Sequence, residues 1–407
     1  MDEKLLDDKY FLINIKDLKF KYNKKQPHYD IEIDKLQIPG NQIISLLGPS
    51  GSGKTTLLNL LLGFLKPTSG SLSIRNNPKP HEIAYIMQEG SIYENVSVFD
   101  NIFLSAKNKE SWVDSVRMKY FDEYFSEHLN YDLVQKYLYW ANSALSKKLS
   151  RWEKKKRYLK LLWAILTDKS TKGKFKIFKD LTRKSLFKKE LNEISKKLGI
   201  DGLIHKNVNE LSGGQKQRVS FAKGIVKRTS LILMDEPFSA LDAKIKESTI
   251  EWLLQIKKEF NLSIVVVTHD QHDALKISDQ IILMDKGKIQ QFSSGEQMYD
   301  NPNNLFVAKF IGSPEINFIE EKNGYSYYIR QNKVKMNPVK NGKYKVVDKK
   351  HFGDSVHYWV EINPNNKWVV VSNDASIDID QRVNLKYLNS DVFVFDSNGE
   401  RVYAQHI

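Results

Sequence analysis

At 407 residues, 41% hydrophobic and 28% charged, the chain is long enough for two or three domains and has a globular protein's composition, which excludes a disordered or fibrous chain. It has no cysteine, which excludes a disulfide framework and any cysteine-ligated metal and agrees with a cytoplasmic location. The formal net charge of +14 asks for an acidic partner, nucleic acid or an anionic membrane surface, unless it is a solvated basic face, so the position of the charge matters.

Residues 1–8 mix acids and lysines where a secretory signal has a basic start and an apolar core, so no export signal is expected there. Residues 17–39 read as short strands joined by the polar turn 23–27. Tyr22, at the end of the first, is placed either to stack on a nucleotide base or to pack as an edge-strand aromatic. Residues 43–47 read as a buried strand, and Leu57, Leu58 and residues 60–62 as a buried helix.

Between that strand and helix lies Gly48-Pro49-Ser50-Gly51-Ser52-Gly53-Lys54-Thr55-Thr56, which has the spacing G-x-x-x-x-G-K-[ST]. In this context backbone N–H groups and a helix N-terminus together hold a triphosphate without needing many side chains. Lys54 then neutralises the β- and γ-phosphates, and the Thr55 hydroxyl sits on Mg²⁺. After a turn at 67–70, residues 71–74 begin another strand, and 83–87 form one ending at Gln88. The Gln88 amide suits sensing of water or Mg²⁺ beside the γ-phosphate, although a strand-end glutamine is also an ordinary solvated residue.

From 108 to 190 the character changes. This stretch holds 21 Lys or Arg and 10 Asp or Glu, a difference of +11 out of the chain's +14. It also holds four of the seven tryptophans, one glycine and no proline, and it reads as an inserted, basic helical subdomain. Its best apolar run, 161–167, falls short of the about 20 residues that a membrane crossing takes, so the chain is not expected to span a membrane.

The globular pattern resumes at Leu191. Ser212-Gly213-Gly214-Gln215 opens a helix; its consecutive N–H groups form a second anion site, and Ser212 equally suits an ordinary N-cap. Residues 231–234 form an apolar strand ending in Asp235-Glu236-Pro237. An acid at such a strand tip is a second anchor for Mg²⁺, and its neighbour can polarise an attacking water. A helix over 244–258, a strand at 264–267 ending in Thr268-His269-Asp270, and a strand at 281–284 follow. His269 is placed to contact a phosphate or to be structural. Apolar strands alternating with helices argue a parallel sheet covered on both faces. Beyond 301, alternating strands at 325–330, 343–347, 356–362, 368–372 and 392–395 read as a separate small β domain.

The motifs LSGGQ at 211–215, LILMDEP at 231–237, SALD at 239–242 and VVVTHD at 265–270, all downstream of GPSGSGKTT, resemble the ATP-binding subunit of an ABC transporter. The resemblance implies an α/β P-loop NTPase core in two parts, 1–107 and 191–300, interrupted by the insert at 108–190 and followed by a linker and OB-like regulatory domain at 301–407. It implies that Tyr22 stacks on adenine, that residues 48–56 hold the phosphates of ATP, and that Thr55, Gln88 and Asp235 serve Mg²⁺. It further implies Glu236 as general base, His269 as switch histidine, and Ser212 to Gln215 closing on the nucleotide of a second subunit in a dimer.

The stretch 301–318 resembles the junction in importer subunits of the maltose and glycerol-phosphate type, and spermidine/putrescine importers share much of it. The expected function is therefore ATP hydrolysis that energises an importer of sugar or glycerol phosphate, with a polyamine importer as the alternative. The implied partners are transmembrane permease subunits and an extracellular substrate-binding protein, at the cytoplasmic face of the cell membrane. A soluble ABC protein acting on nucleic acid or ribosomes is the competing class; such factors carry two cassettes and this chain has one, so no nucleic acid is expected. For the insert, a solvated basic helical face is the first reading and contact of its lysines and tryptophans with anionic lipid beside the permease the second.

Overall fold

The computed structural model describes residues 11–87, 92–107, 109–128, 130–146, 148–227, 229, 231–353 and 355–403. Strands β1 (Phe11–Phe20), β2 (Ile31–Pro39) and β4 (Ser69–Ile74) form an antiparallel sheet in the order β2-β1-β4. A second sheet has the order β5-β6-β7-β3-β8-β9, from β3 (Ile43–Leu47), β5 (Ala84–Ile86), β6 (Ile232–Asp235), β7 (Ile264–Val267), β8 (Gln280–Asp285) and β9 (Lys288–Ser293). Its strands are parallel except the edge strand β9, which runs antiparallel to β8.

The apolar runs have two buried faces to fill. Ile232, Met234, Ile264 and Val266 point into one core, and Leu233, Val265 and Val267 into the other. Helix α1 (Lys54–Leu61) packs Leu57, Leu58, Leu60 and Leu61 into the second core, together with residues of β1 and β2. The first core receives α2 (Val98–Ala106) and apolar side chains of several helices described below. The sheet is thus sandwiched, as continuous hydrophobic strands require.

The segment that the sequence marks at 108–190 as basic and helical contains α3 (Glu110–Glu127), α4 (Tyr131–Leu145), α5 (Arg151–Thr167), α6 (Lys174–Asp180) and the start of α7 (Arg183–Leu198), a helix that continues past residue 190. It has a core of its own, built on Phe121, Tyr137, Trp140, Tyr158, Leu161 and Ile165. Its base joins the ATPase core through Trp112, Phe187 and Leu191, and the Trp112 indole donates to Glu190 Oε2 at 3.1 Å. Helix α5 starts on a capping box in which Ser150 and Glu153 exchange side-chain to backbone hydrogen bonds. Of the four tryptophans, Trp112 and Trp140 are buried, whereas Trp152 and Trp163 are 69% and 68% exposed.

After α7 come α8 (Gly213–Ile225), α9 (Ala243–Phe260) and α10 (Gln271–Ile277), then α11 (Gly295–Asp300) and α12 (Leu305–Phe310). The C-terminal β domain has two sheets. One joins β10 (Asn317–Lys322), β11 (Tyr325–Ile329), β17 (Val392–Phe395) and β18 (Arg401–Val402); the other has the order β12-β16-β13-β14-β15, from β12 (Lys335–Pro338), β13 (Tyr344–His351), β14 (Val356–Asn363), β15 (Asn366–Ser372) and β16 (Arg382–Lys386).

Arg330 fastens this domain to the core. The side chain is buried and donates to the carbonyls of Ala308 at 2.8 Å, Ile311 at 2.6 Å and Tyr299 at 2.9 Å, which satisfies backbone acceptors at the ends of α11 and α12. Burial pulls its guanidinium down to about 10, against the attraction of Tyr299 and Asp300. Gly312, with φ at 107°, lies where a Cβ would come 2.9 Å from the Tyr299 ring, and its N–H donates to Gln271 Oε1 at 2.9 Å.

Among the described residues, no helix is long and apolar enough to cross a membrane.

Candidate functional site

Strand β3, between β7 and β8, is buried along its whole length and delivers the chain to Gly48 just past its carboxyl end. Gly48 has φ 151° and a Cβ there would lie 2.2 Å from the Met284 carbonyl oxygen, so only glycine fits. Gly53, the N-cap of α1, has φ 102°, and a Cβ would meet Ile31 Cδ1 at 2.6 Å. The loop is thereby pressed against β8 and β2 while its N–H groups lead into the positive end of α1.

Lys54 turns back across this loop. Its Nζ donates to the carbonyls of Gly48 at 2.8 Å and Pro49 at 2.9 Å. Burial lowers the ammonium below the usual lysine range, opposed by the charges of Glu236 and Asp235. The Ser52 hydroxyl is buried with no hydrogen-bond partner among the described residues. Thr55 is exposed and Thr56 half-buried. Tyr22 meets Phe20 edge to face with ring centroids 4.9 Å apart, remains 62% exposed, and has its hydroxyl 3.2 Å from Thr56 Oγ1. Asp30 holds the Tyr22 backbone, accepting its N–H at 2.7 Å.

The tips of β6 and β7 supply the acids and the imidazole. Burial pushes Asp235 above the carboxylate range, aided by the neighbouring Glu236 charge and opposed by Tyr85 and Lys54. The Tyr85 hydroxyl donates to Asp235 Oδ2 at 3.4 Å and is itself pushed up to about 12, first by burial and then by Asp235. Glu236 has a positive φ of 47°, a strained value for a side chain of its size, and its N–H donates to the Val267 carbonyl at 2.9 Å. His269 Nδ1 lies 2.7 Å from Glu236 Oε1. Behind His269, Asp270 caps α10, and Lys246 of α9 bridges Asp270 at 2.8 Å and Asp273 at 2.7 Å.

Ser212 caps α8 in a reciprocal box with Gln215, which satisfies the ordinary helix-start reading. An added Cβ on Gly213 would meet Leu241 Cδ2, just ahead of α9, at 3.5 Å, and one on Gly214 would meet Ile245 Cγ2 of α9 at 3.2 Å. Gln217 ties this helix to the acidic strand tip by donating to the Pro237 carbonyl at 2.6 Å. Among the described residues, no hydrogen bond joins Ser212, Gly213, Gly214 or Gln215 to the loop 48–56. Gln88 lies outside the described residues.

The structure therefore brings together Tyr22, the glycine loop, Lys54, Asp235, Glu236 and His269, and among the described residues no hydrogen bond ties the serine-glycine helix start to them. Tyr85, Asp30, Gln217 and Lys246 add to the site without having been read in the sequence. A lone tyrosine in a short strand, an aspartate ahead of one and a lysine on a helix carry no spacing signal, whereas Gln217 lies two residues past the motif at 211–215. The donor set is one ammonium, a run of backbone N–H groups and hard oxygens from Thr55 and Asp235. That set suits a polyphosphate with a small divalent cation.

Fold and site define a P-loop NTPase. The family description "ABC transporter" matches residues 32–239. The spermidine/putrescine import ATP-binding protein PotA of Mycoplasmopsis synoviae is 33% identical over 314 residues, covering 69% of this chain and 66% of that one. The same-named protein of Mesomycoplasma hyopneumoniae strain J is 32% identical over 369 residues, covering 82% and 79%. The solved structure of cbiO1 from Clostridium perfringens, part of the ABC transporter complex cbiONQ, is 20% identical with a TM-score of 0.47, covering 70% of this chain and 89% of that one. The chain belongs to the ABC transporter family, as one of its ATP-binding, ATP-hydrolysing subunits.

Proposed function

We propose that this chain energises the import of spermidine or putrescine, working as a pair at the cytoplasmic face of a membrane permease fed by a substrate-binding protein. The observation that carries the cargo is the run of relatives named for polyamine import, several at 31–33% identity. This corrects the order expected from residues 301–318, where sugar or glycerol phosphate came first. Importers of both kinds share that junction, so its residues do not discriminate between cargoes, and cargo is selected by other chains.

For the reaction, residues 48–53 and Lys54 hold the β- and γ-phosphates of ATP, with Tyr22 beside the base. Thr55 and Asp235 supply the oxygens for Mg²⁺, which when bound neutralises charge on the transferring phosphoryl group. Glu236 orients the attacking water and takes its proton, and His269, at 2.7 Å from Glu236 Oε1, fixes the direction of that carboxylate. Water then attacks the γ-phosphorus in line as the bond to ADP breaks. Ser212 and Gly214, which among the described residues make no hydrogen bond to the loop of their own chain, complete the γ-phosphate face of a second copy.

The test is reconstitution in vesicles with the cognate permease and binding protein, measuring phosphate release. Polyamine-loaded binding protein should stimulate hydrolysis above the level with maltose or glycerol phosphate. Stimulation by either of these and none by polyamine would overturn the cargo assignment.

A further inference from the structure

Helix α5 is apolar on two opposite sides. Tyr158, Leu161, Ala164 and Ile165 are buried against the rest of the helical segment. Trp152, Leu159, Trp163 and Leu166 are 69%, 53%, 68% and 53% exposed. At 100° per residue these four fall within about 60° of arc, on the face turned away from the buried set. The stripe is about 20 Å long, at 1.5 Å per residue. Lys155 flanks it on one side and Lys156 and Lys160 on the other, all exposed, and Lys156 Nζ lies 5.2 Å from the Trp152 ring centre. Trp152, Lys155, Lys156, Leu159, Lys160 and Trp163 line one shallow apolar furrow.

Lys174 donates to the Leu166 carbonyl at 2.8 Å, which brings the start of α6, with its 85% exposed Phe175, to the far end of the stripe. The short α6 adds Lys174, Lys176 and Lys179. Large aromatic side chains left in water are costly, and nothing in the packing of the segment's own core requires them on this side. Indole rings interleaved with ammonium groups match one environment closely, the boundary between acyl chains and negatively charged headgroups, where the ring is half-buried and the ammonium meets phosphate.

We propose that the outer face of α5 is a docking surface for an anionic phospholipid bilayer, with Trp152 and Trp163 entering the headgroup layer and Lys155, Lys156 and Lys160 pairing with lipid phosphate. The surface accounts for part of the charge concentrated between residues 108 and 190 and holds the ATPase beside the membrane independently of its permease contacts. The setting rests on the transporter reading, while the surface itself is tested without a permease.

The experiment is co-sedimentation of the full chain with phosphatidylcholine vesicles, with and without phosphatidylglycerol. Binding is expected with phosphatidylglycerol only and is expected to fall as salt rises. Trp152→Ser with Trp163→Ser should weaken it by about tenfold or more, and Lys155→Gln, Lys156→Gln and Lys160→Gln together should remove the preference for anionic lipid. Basal ATP hydrolysis should stay unchanged in both variants. In the parent chain, tryptophan emission should shift to the blue and be quenched by brominated lipid, a readout that does not depend on any variant folding.

Absence of binding to phosphatidylglycerol vesicles would overturn the proposal. So would equal binding to neutral vesicles, or variants that bind like the parent. Concentration-dependent self-association lost in the tryptophan variant, without vesicle binding, would instead assign the stripe to a second copy. Failure of polyamine stimulation in the reconstituted transporter would count against the cargo and leave the lipid surface standing.

Discussion

His269 Nδ1 and Glu236 Oε1 meet at 2.7 Å within one chain. The imidazole side chain is 66% exposed and the carboxylate 21%, so the histidine reaches in from solvent to orient a group that is largely enclosed. His269→Ala should therefore lower turnover by about a hundredfold while ATP binding persists. Glu236→Gln keeps an oxygen for the same contact but not the base, and its turnover should collapse with binding retained. Phosphate release paired with nucleotide binding checks both; near-parental turnover in Glu236→Gln would remove that residue from the role of base.

The two glycines at 48 and 51 should respond differently to alanine. At Gly51 nothing lies within 4 Å of an added Cβ, and φ is 77°, so the cost is about 1 kcal/mol of backbone strain. At Gly48 the Met284 carbonyl would be 2.2 Å away, and the loop or β8 must move. Gly48→Ala should cost about 3 kcal/mol and abolish ATP binding, measured by chemical unfolding and nucleotide titration.

Asp235 makes stability depend on pH. Its folded value is raised, chiefly by burial, so folding favours the protonated acid. That contribution is fully present below the ordinary carboxylate value of about 3.9 and is lost as pH rises through the raised one. Asp235→Asn should accordingly melt higher than the parent at pH 7, with the gap closing in acid. A constant difference across pH would show that charge burial is not the cause.

Arg330→Met should leave the carbonyls of Ala308, Ile311 and Tyr299 without their donor, at a cost of about 3 kcal/mol. The C-terminal β domain should become easier to release by limited proteolysis near Gly312, while the ATPase core keeps its nucleotide affinity.

Lys246→Ala strands Asp273, whose side chain is 8% exposed and whose acid is already raised by burial. A loss of about 2 kcal/mol is expected, together with reduced turnover because α10 no longer holds the segment behind His269.

Much of this was legible in the chain because the ATPase core obeys local rules. Residues 264–267 and 43–47 are strands buried on both faces, so unbroken apolar runs revealed them. The phosphate loop announced itself through glycines that the packing requires. Strands β12 and β16 were not legible. Lys335–Pro338 and Arg382–Lys386 are short and mostly half-exposed or more, and they become strands only because β12 pairs with β16 and β16 with β13. Arg330 stands in the sequence only as the last residue of the strand 325–330; its burial follows from distant carbonyls at the ends of α11 and α12, which no local pattern encodes. Tyr85 reaches Asp235 from a strand 150 residues away, so the pair exists only once β5 and β6 align.

The ammonium of Lys54 is already engaged by its own loop, with two of its three donors on backbone oxygens at 2.8 and 2.9 Å. Phosphate oxygens arriving there exchange with those acceptors instead of meeting a bare cation. Nucleotide affinity is then a difference between two well-bonded arrangements. The free energy of capture is small compared with the attractions involved, as a site that must discharge its product on every cycle requires.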